Sequence, residues 1–219
     1  MDKNCEKKTH PLYPFFKRLF DVLFSLSFIV VFSPLYLLLA LLIKWNSKGP
    51  VLYIGKRLGK GGKHLEIFKF RTMYIDAEER LKDMLSSDPK MRSEWEVFQK
   101  LHNDPRCTSI GKFLRRTSLD EFPQFFNVLK GDLSVVGPRP HCIDELEGKE
   151  NSPLKKYAHL VLATKPGITG LWQTSGRSHL SYEDRVELDS LYFKKQSFFY
   201  DIKVVLKTVP LVLISRGAV

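Results

Sequence analysis

Asp120 and Glu121 stand side by side in the densest charged segment of the chain, Gly111 to Pro140. Arg115 and Arg116 lie just upstream. Arg139 follows between Pro138 and Pro140, whose rings hold the backbone in a stiff extended form. An arginine presented this way suits bidentate capture of phosphate. Adjacent carboxylates among arginines form a phosphoryl-transfer set: one carboxylate as nucleophile, a second to hold Mg²⁺, and cations for the phosphate oxygens. A carboxylate at the ordinary value of about 4 is ionised at neutral pH and needs no general base. Its difficulty is repulsion from an anionic phosphate, which Mg²⁺ and arginines reduce. The plain alternative is that both acids cap a helix. Pro123 favours a first helical turn and Gly131 a stop, which predicts a short helix over Pro123–Lys130 with the acids at its positive end.

The elements that must position this cluster are also legible. His64–Phe70 reads as a strand; alternation puts Leu65, Ile67, Lys69 and Arg71 on one side, so two cations leave one face together. Val51–Ile54 predicts another short strand, and Gly55–Lys63 a basic, glycine-rich loop. That loop fits neither the Walker pattern nor G-x-G-x-x-G, which argues against a nucleotide P-loop. Residues 76–101 carry helical spacing in Leu81, Met84 and Leu85, then in Trp95, Phe98 and Leu101, with a break at Asp88-Pro89. Asp104-Pro105-Arg106 ends that stretch as a turn. The tail from Phe198 to Ser215 alternates apolar and basic residues around Pro210, as a core helix or an in-plane membrane helix would.

The whole chain, 219 residues, suffices for one domain with a membrane appendage. Its 43% hydrophobic and 27% charged content excludes a disordered or collagen-like chain, and the mean hydropathy of −0.18 excludes a multi-span transporter. A net charge of +11 points to a polyanionic partner: nucleic acid, phosphorylated small molecules or an anionic membrane surface. The scattered Cys5, Cys107 and Cys142 include no C-x-x-C pair, which argues against a zinc site or a disulfide framework.

Leu19 to Ile43 is apolar apart from Asp21 and three serines. As a straight helix it reaches about 37 Å, enough to cross a bilayer. Pro34 near its middle lacks an amide and predicts a bend, and Ser33 can hydrogen-bond a carbonyl released there. Lys7, Lys8, Lys17 and Arg18 precede the segment; Lys44, Lys48, Lys56 and Arg57 follow it. Positive charge at both ends favours a re-entrant helix that enters and leaves by the cytoplasmic face, with a true span and a buried core helix as alternatives.

Ser118-Leu-Asp-Glu-Phe-Pro-Gln124, Asn127-Val-Leu-Lys-Gly131 and Ser134-Val-Val-Gly-Pro-Arg-Pro140 together closely resemble the bacterial sugar transferases, the monotopic polyprenyl-phosphate phosphoglycosyltransferases. Lys69-Phe-Arg-Thr-Met73, Asp104-Pro-Arg106, Pro166-Gly-Ile-Thr-Gly-Leu-Trp-Gln173 and Ser175-Gly-Arg177 support the resemblance, and Ser33-Pro34 matches the family's break in its re-entrant helix. Phe122 departs from the usual Leu, and Thr72 from the common Ser.

The resemblance implies an α+β fold, mostly helical with a small β element. It divides the chain into a basic segment (1–18), a re-entrant membrane helix (19–43) and a cytoplasmic catalytic domain (44–219). It implies Asp120 as nucleophile, Glu121 as the Mg²⁺-holding partner, and Lys69, Arg71, Arg115, Arg139 and Arg177 as phosphate or substrate ligands. The implied donor is a UDP-sugar carrying galactose or glucose, and the acceptor is undecaprenyl phosphate at the bacterial inner membrane. The implied partners are membrane lipid and no nucleic acid, with a homo-oligomer left open. A non-catalytic scaffold that binds anionic lipid is the alternative, but it has no need of adjacent carboxylates amid arginines.

Overall fold

The computed structural model describes residues 10–98, 101, 104–148, 152–176 and 180–213. Its first element is one long helix, α1 (Tyr13–Asn46), which starts on Pro14 and ends where Ser47 turns extended. The helix is longer than the apolar run, and by length and composition it can cross a membrane. Ser33 and Pro34 lie inside α1 rather than at an interruption of it. The Ser33 hydroxyl donates to Val30 O at 2.9 Å, serving the carbonyl that Pro34, with no N–H, leaves without its helical partner.

Two strands follow, β1 (Leu52–Leu58) and β2 (His64–Phe70), paired antiparallel with Gly55 opposite Ile67 and Leu58 opposite His64. Gly55–Leu58, expected as loop, is therefore strand, because β2 supplies its hydrogen bonds. Only Lys60–Gly62 makes the turn between them. The helices α2 (Ala77–Ser87) and α3 (Pro89–Phe98) are separated at Asp88. α4 (Ser109–Thr117) leads to α5 (Gln124–Lys130), and β3 (Ser134–Val136) pairs in parallel with β4 (Gly167–Thr169). Two helices lie between those strands, α6 (Ile143–Glu147) and α7 (Pro153–Val161). Two come after them, α8 (Tyr182–Lys195) and α9 (Phe198–Leu213). The fold is thus mostly helical with two small sheets.

Three apolar clusters hold these elements together, and α1 enters two of them. Phe20 and Phe24 pack on the cluster of Ile67, Val128, Leu133, Val136, Tyr192 and Val204. Leu39 and Ile43 are buried with Phe70 and Leu114. The third cluster gathers Leu58, Leu154, Val161 and Val186.

Polar contacts fasten the same helix at both ends. Asp21, the acid inside the apolar run, accepts from Ser134 Oγ at 3.0 Å and Val135 N at 2.9 Å. Arg18 donates to Val128 O and Leu129 O, the last carbonyls of α5. Lys17 meets Asp201 of α9 at 2.7 Å, and the hydroxyls of Tyr13 and Tyr192 donate to the same carboxylate. Toward the other end, Tyr36 donates to Phe122 O at 2.6 Å and Asn46 to Ser109 Oγ at 3.0 Å. The outer face of α1 is apolar and bare, with Val30, Val31, Leu37 and Leu41 each at least 60% exposed. Phe199 and Leu206 of α9 are bare as well.

Candidate active site

The acids sit on a corner between two helices. Thr108 caps α4, its hydroxyl accepting from Gly111 N at 2.9 Å. The helix stops at Ser118, which adopts a left-handed conformation (φ 59°), the sole non-glycine residue with positive φ among the described residues. That conformation is unfavourable for a side-chain-bearing residue and reverses the chain abruptly. Leu119–Glu121 then form one tight turn, and Pro123 leads into α5, which ends at left-handed Gly131 (φ 96°). The residues at the cap positions, Ser118 and Pro123, make no side-chain capping bond; Asp120 meets its own backbone amide, and Glu121 meets the side chains of Lys69 and Gln124.

Asn127 sets the distance from this corner to β2. It is fully buried, and its amide accepts from Phe68 N at 2.8 Å and donates to Glu66 O at 2.6 Å, in the manner of a neighbouring strand. With α5 fixed against β2, Lys69 Nζ comes to 2.7 Å from Glu121 Oε1 and 3.6 Å from Asp120 Oδ2. The protein packed around Lys69 disfavours its charge, but the two carboxylates outweigh this and raise its pKa.

Asp120 is 8% exposed, and its carboxyl is pushed up to about 6. Burial is the main cause and the Glu121 charge adds to it; Lys69 and Arg115 pull the other way. Glu121 is held below its ordinary value. Desolvation opposes its ionisation, but the charge and hydrogen bond of Lys69 prevail, supported by Arg139. The side chain of Glu121 keeps 40% of its surface exposed, so it remains reachable. The corner thus holds one acid whose ionised form is favoured beside one raised to about 6. A more basic carboxylate is the better nucleophile, a property the ordinary value expected from sequence would not supply.

The expected cations separate into three groups. Lys69, Arg115 and Arg139 act on the corner: Arg115 lies within electrostatic reach of Asp120, and Arg139 of Glu121. Arg115 is steadied by Thr72, whose hydroxyl accepts from its Nε at 2.9 Å. Arg71, expected to leave β2 alongside Lys69, lies beyond the end of the strand and turns to the end of α1. It donates there to Ser47 O, Ser47 Oγ and Lys48 O. Arg177 lies outside the described residues.

Asn127 and Thr72 carry no assigned role in the sequence reading, nor does the support beneath the Pro138-Arg139-Pro140 segment. His141 Nδ1 is 2.7 Å from Glu145 Oε2, and its Nε2 is 3.4 Å from Asp189 Oδ2. The Arg139 amide donates to that same Asp189 oxygen at 3.1 Å. Burial lowers the affinity of His141 for a proton, but the two carboxylates raise it overall. The spacing of His141 and Glu145, four residues apart, is the one signal the sequence offers; only the fold brings Asp189 to the same ring.

No group of three His, Cys, Asp or Glu side chains forms a metal cage among the described residues. Magnesium does not require one, since it is often held by one or two carboxylates together with substrate phosphates and water. Glu121, anionic and reachable, fits that role.

The chain thus combines a helix long and apolar enough to cross a membrane with a corner of two acids and three cations. The chain belongs to the bacterial sugar transferase family, whose model matches residues 12–215. Among curated relatives it is 45% identical over 207 residues to the undecaprenyl-phosphate galactose phosphotransferase of Salmonella typhimurium, covering 93% of this chain and 42% of that protein. It is 44% identical over 202 residues to the exopolysaccharide production protein ExoY of Rhizobium meliloti, covering 92% of this chain and 87% of that protein. It is 40% identical over 208 residues to the UDP-glucose:undecaprenyl-phosphate glucose-1-phosphate transferase of Klebsiella pneumoniae, covering 93% and 41%. The chain therefore spans less than half the length of the Salmonella and Klebsiella proteins.

Proposed function

We propose that this chain transfers a sugar 1-phosphate from a UDP-sugar to undecaprenyl phosphate and releases UMP. The observation that carries the reading is the buried Asp120, raised toward neutrality and flanked by Lys69, Glu121 and Arg115. The names of the relatives, which include galactose and glucose phosphotransferases, support galactose or glucose as the sugar. The ExoY name supports a role in exopolysaccharide production, and we place the transfer at the first membrane step of such a synthesis, of exopolysaccharide, capsule or O-antigen.

In the first half-reaction a carboxylate oxygen of Asp120 bonds to the sugar-bearing phosphorus. The bond from that phosphorus to the bridging oxygen breaks, and its electron pair leaves with UMP. Lys69 and Arg115 offset the repulsion between the anionic carboxylate and the diphosphate, and Arg139 holds the phosphate oxygens. In the second half-reaction a phosphate oxygen of undecaprenyl phosphate bonds to the same phosphorus, and the Asp120 carboxylate departs intact. Glu121 would hold Mg²⁺, which supplies charge neutralisation on the phosphates when bound.

The acceptor's phosphate lies at the headgroup level, and α1 suits a protein that sits there. Both ends of the helix are fastened to the one catalytic body, through Asp21, Lys17 and Arg18 at one end and Tyr36 and Asn46 at the other. That arrangement supports a re-entrant helix bent at Pro34, with its bare face in lipid and the site on the cytoplasmic side; a spanning helix would carry its far end away from the body.

The test is nucleotide release from purified protein supplied with Mg²⁺, undecaprenyl phosphate and a panel of UDP-sugars. UMP is expected with one sugar and not with the Asp120→Asn variant; release of UDP, or of UMP by that variant, refutes the mechanism.

A further inference from the structure

Trp172 is a second organising point, one turn beyond β4. It is 8% exposed, and its buried Nε1 has no hydrogen-bond partner among the described residues. Two guanidinium groups approach its ring, Arg139 and Arg185, each 5.3 Å from the ring centre. Arg185 comes from α8 and is held in place by two hydrogen bonds to Leu180 O, of 3.1 and 2.9 Å. Burial and the nearby Arg139 both make it harder to keep Arg185 protonated, so the two cations feel each other's charge. Like charges on one aromatic ring are an arrangement that an anion between them relieves.

Arg139 belongs to both groups. It stands over Trp172 with Arg185, and its charge reaches Glu121 and Lys69 at the corner. The cations therefore form a track: Lys69 at the acids, Arg139 next, and Arg185 beyond. We infer that Arg185 and Trp172 form the subsite for the nucleoside-monophosphate half of the donor, so that the diphosphate lies from Asp120 toward Arg185. The inference rests on the phosphosugar-transfer reading, and it assigns an orientation within that site. The retained phosphorus sits at Asp120, the bridging oxygen near Arg139, and the departing phosphate at Arg185. The Trp172 indole lies beside the departing nucleotide.

A residue that touches only the leaving half affects donor binding and product release, not transfer to the lipid. The experiment uses the full chain in lipid nanodiscs and measures UMP affinity by equilibrium dialysis with labelled UMP. Phosphosugar-loaded enzyme is separately chased with undecaprenyl phosphate. Arg185→Gln is expected to weaken UMP binding and raise the donor KM by about tenfold, the loss typical of a charged phosphate contact, while the chase rate holds. Arg185→Lys keeps the charge and is expected to retain most UMP affinity. Unchanged UMP affinity in Arg185→Gln overturns the inference, as does a chase slowed in step with UMP binding. If the Gln variant melts early through loss of the Leu180 contact, the Lys variant decides: a folded Lys protein that does not bind UMP overturns the inference. A wild-type protein that releases no UMP would instead remove the underlying reading of function.

Discussion

Replacing Asp120 by Asn should abolish turnover and yet stabilise the protein, by an amount that depends on pH. In the fold the carboxyl moves from 3.8 to about 6, chiefly because it is buried. At about 1.4 kcal/mol per pKa unit, its ionised form costs the fold about 3 kcal/mol. Below about pH 3 the group is protonated in folded and unfolded chains alike, and wild type and variant should be equally affected. As pH rises, the unfolded chain ionises first while the fold still holds the proton, so wild-type stability falls until the pH has passed about 6. The amide has no such dependence, and the difference between the proteins isolates the charge from any change in packing. At pH 7.5 the variant should melt about 6–12 °C higher, given about 2–4 °C per kcal/mol for a domain of this size. The gap should shrink to about 2–4 °C at pH 4.5, where about 1 kcal/mol of the effect remains, and approach zero only below about pH 3. The assay is thermal unfolding of both proteins in the same detergent across that range. A gap that does not change with pH, or a wild type that gains stability on the alkaline side, would refute the claim that Asp120 is held in a costly environment for its chemistry.

Asn127→Leu fills the same space but leaves Phe68 N and Glu66 O without partners, and should cost about 2–5 kcal/mol in urea unfolding, with activity lost as Lys69 drifts from the acids. Thr72→Val should unseat Arg115, whose charge lowers the Asp120 pKa, so the acid limb of the pH–rate profile should shift to higher pH; Thr72→Ser should restore it, and a profile left in place would count against the contact. Asp201→Leu removes the carboxylate that holds Lys17, Tyr13 and Tyr192, and the buried lysine left behind should lower stability by about 3–5 kcal/mol in the same unfolding assay.

Where local pattern and tertiary demand coincide, the sequence was readable. β2 alternates over its full length and emerges as His64–Phe70, and Asp88-Pro89 separates α2 from α3 as the missing amide of proline requires. The sequence singles out the two acids, Arg115 and Arg139 from one charged stretch and Lys69 from the alternation of β2, and the fold brings their charges within reach of one another. Arg71 illustrates the limit. Alternation placed it with Lys69, but it lies past the last strand residue, where the period no longer holds and the carbonyls after α1 claim it. The parallel pair β3 and β4 has three residues a strand, too few to show a period. Asn127 reads as an ordinary helix residue until β2 is placed beside it. The raised Asp120 pKa depends on burial, which no neighbour in sequence reports.

The ion pair between Lys17 and Asp201 joins residues 184 positions apart. A ribosome makes α1 before any element it packs on, so Asp21 goes unanswered until β3, and Lys17 until α9, has been translated. A chain arrested between β3 and Asp201 already has the partners of Asp21 but lacks the carboxylate that Lys17 meets, and leaving that charge without it is costly. Completing the pair closes α1 onto α9 in one late step, and the two ends of the described fold become a single body at that moment.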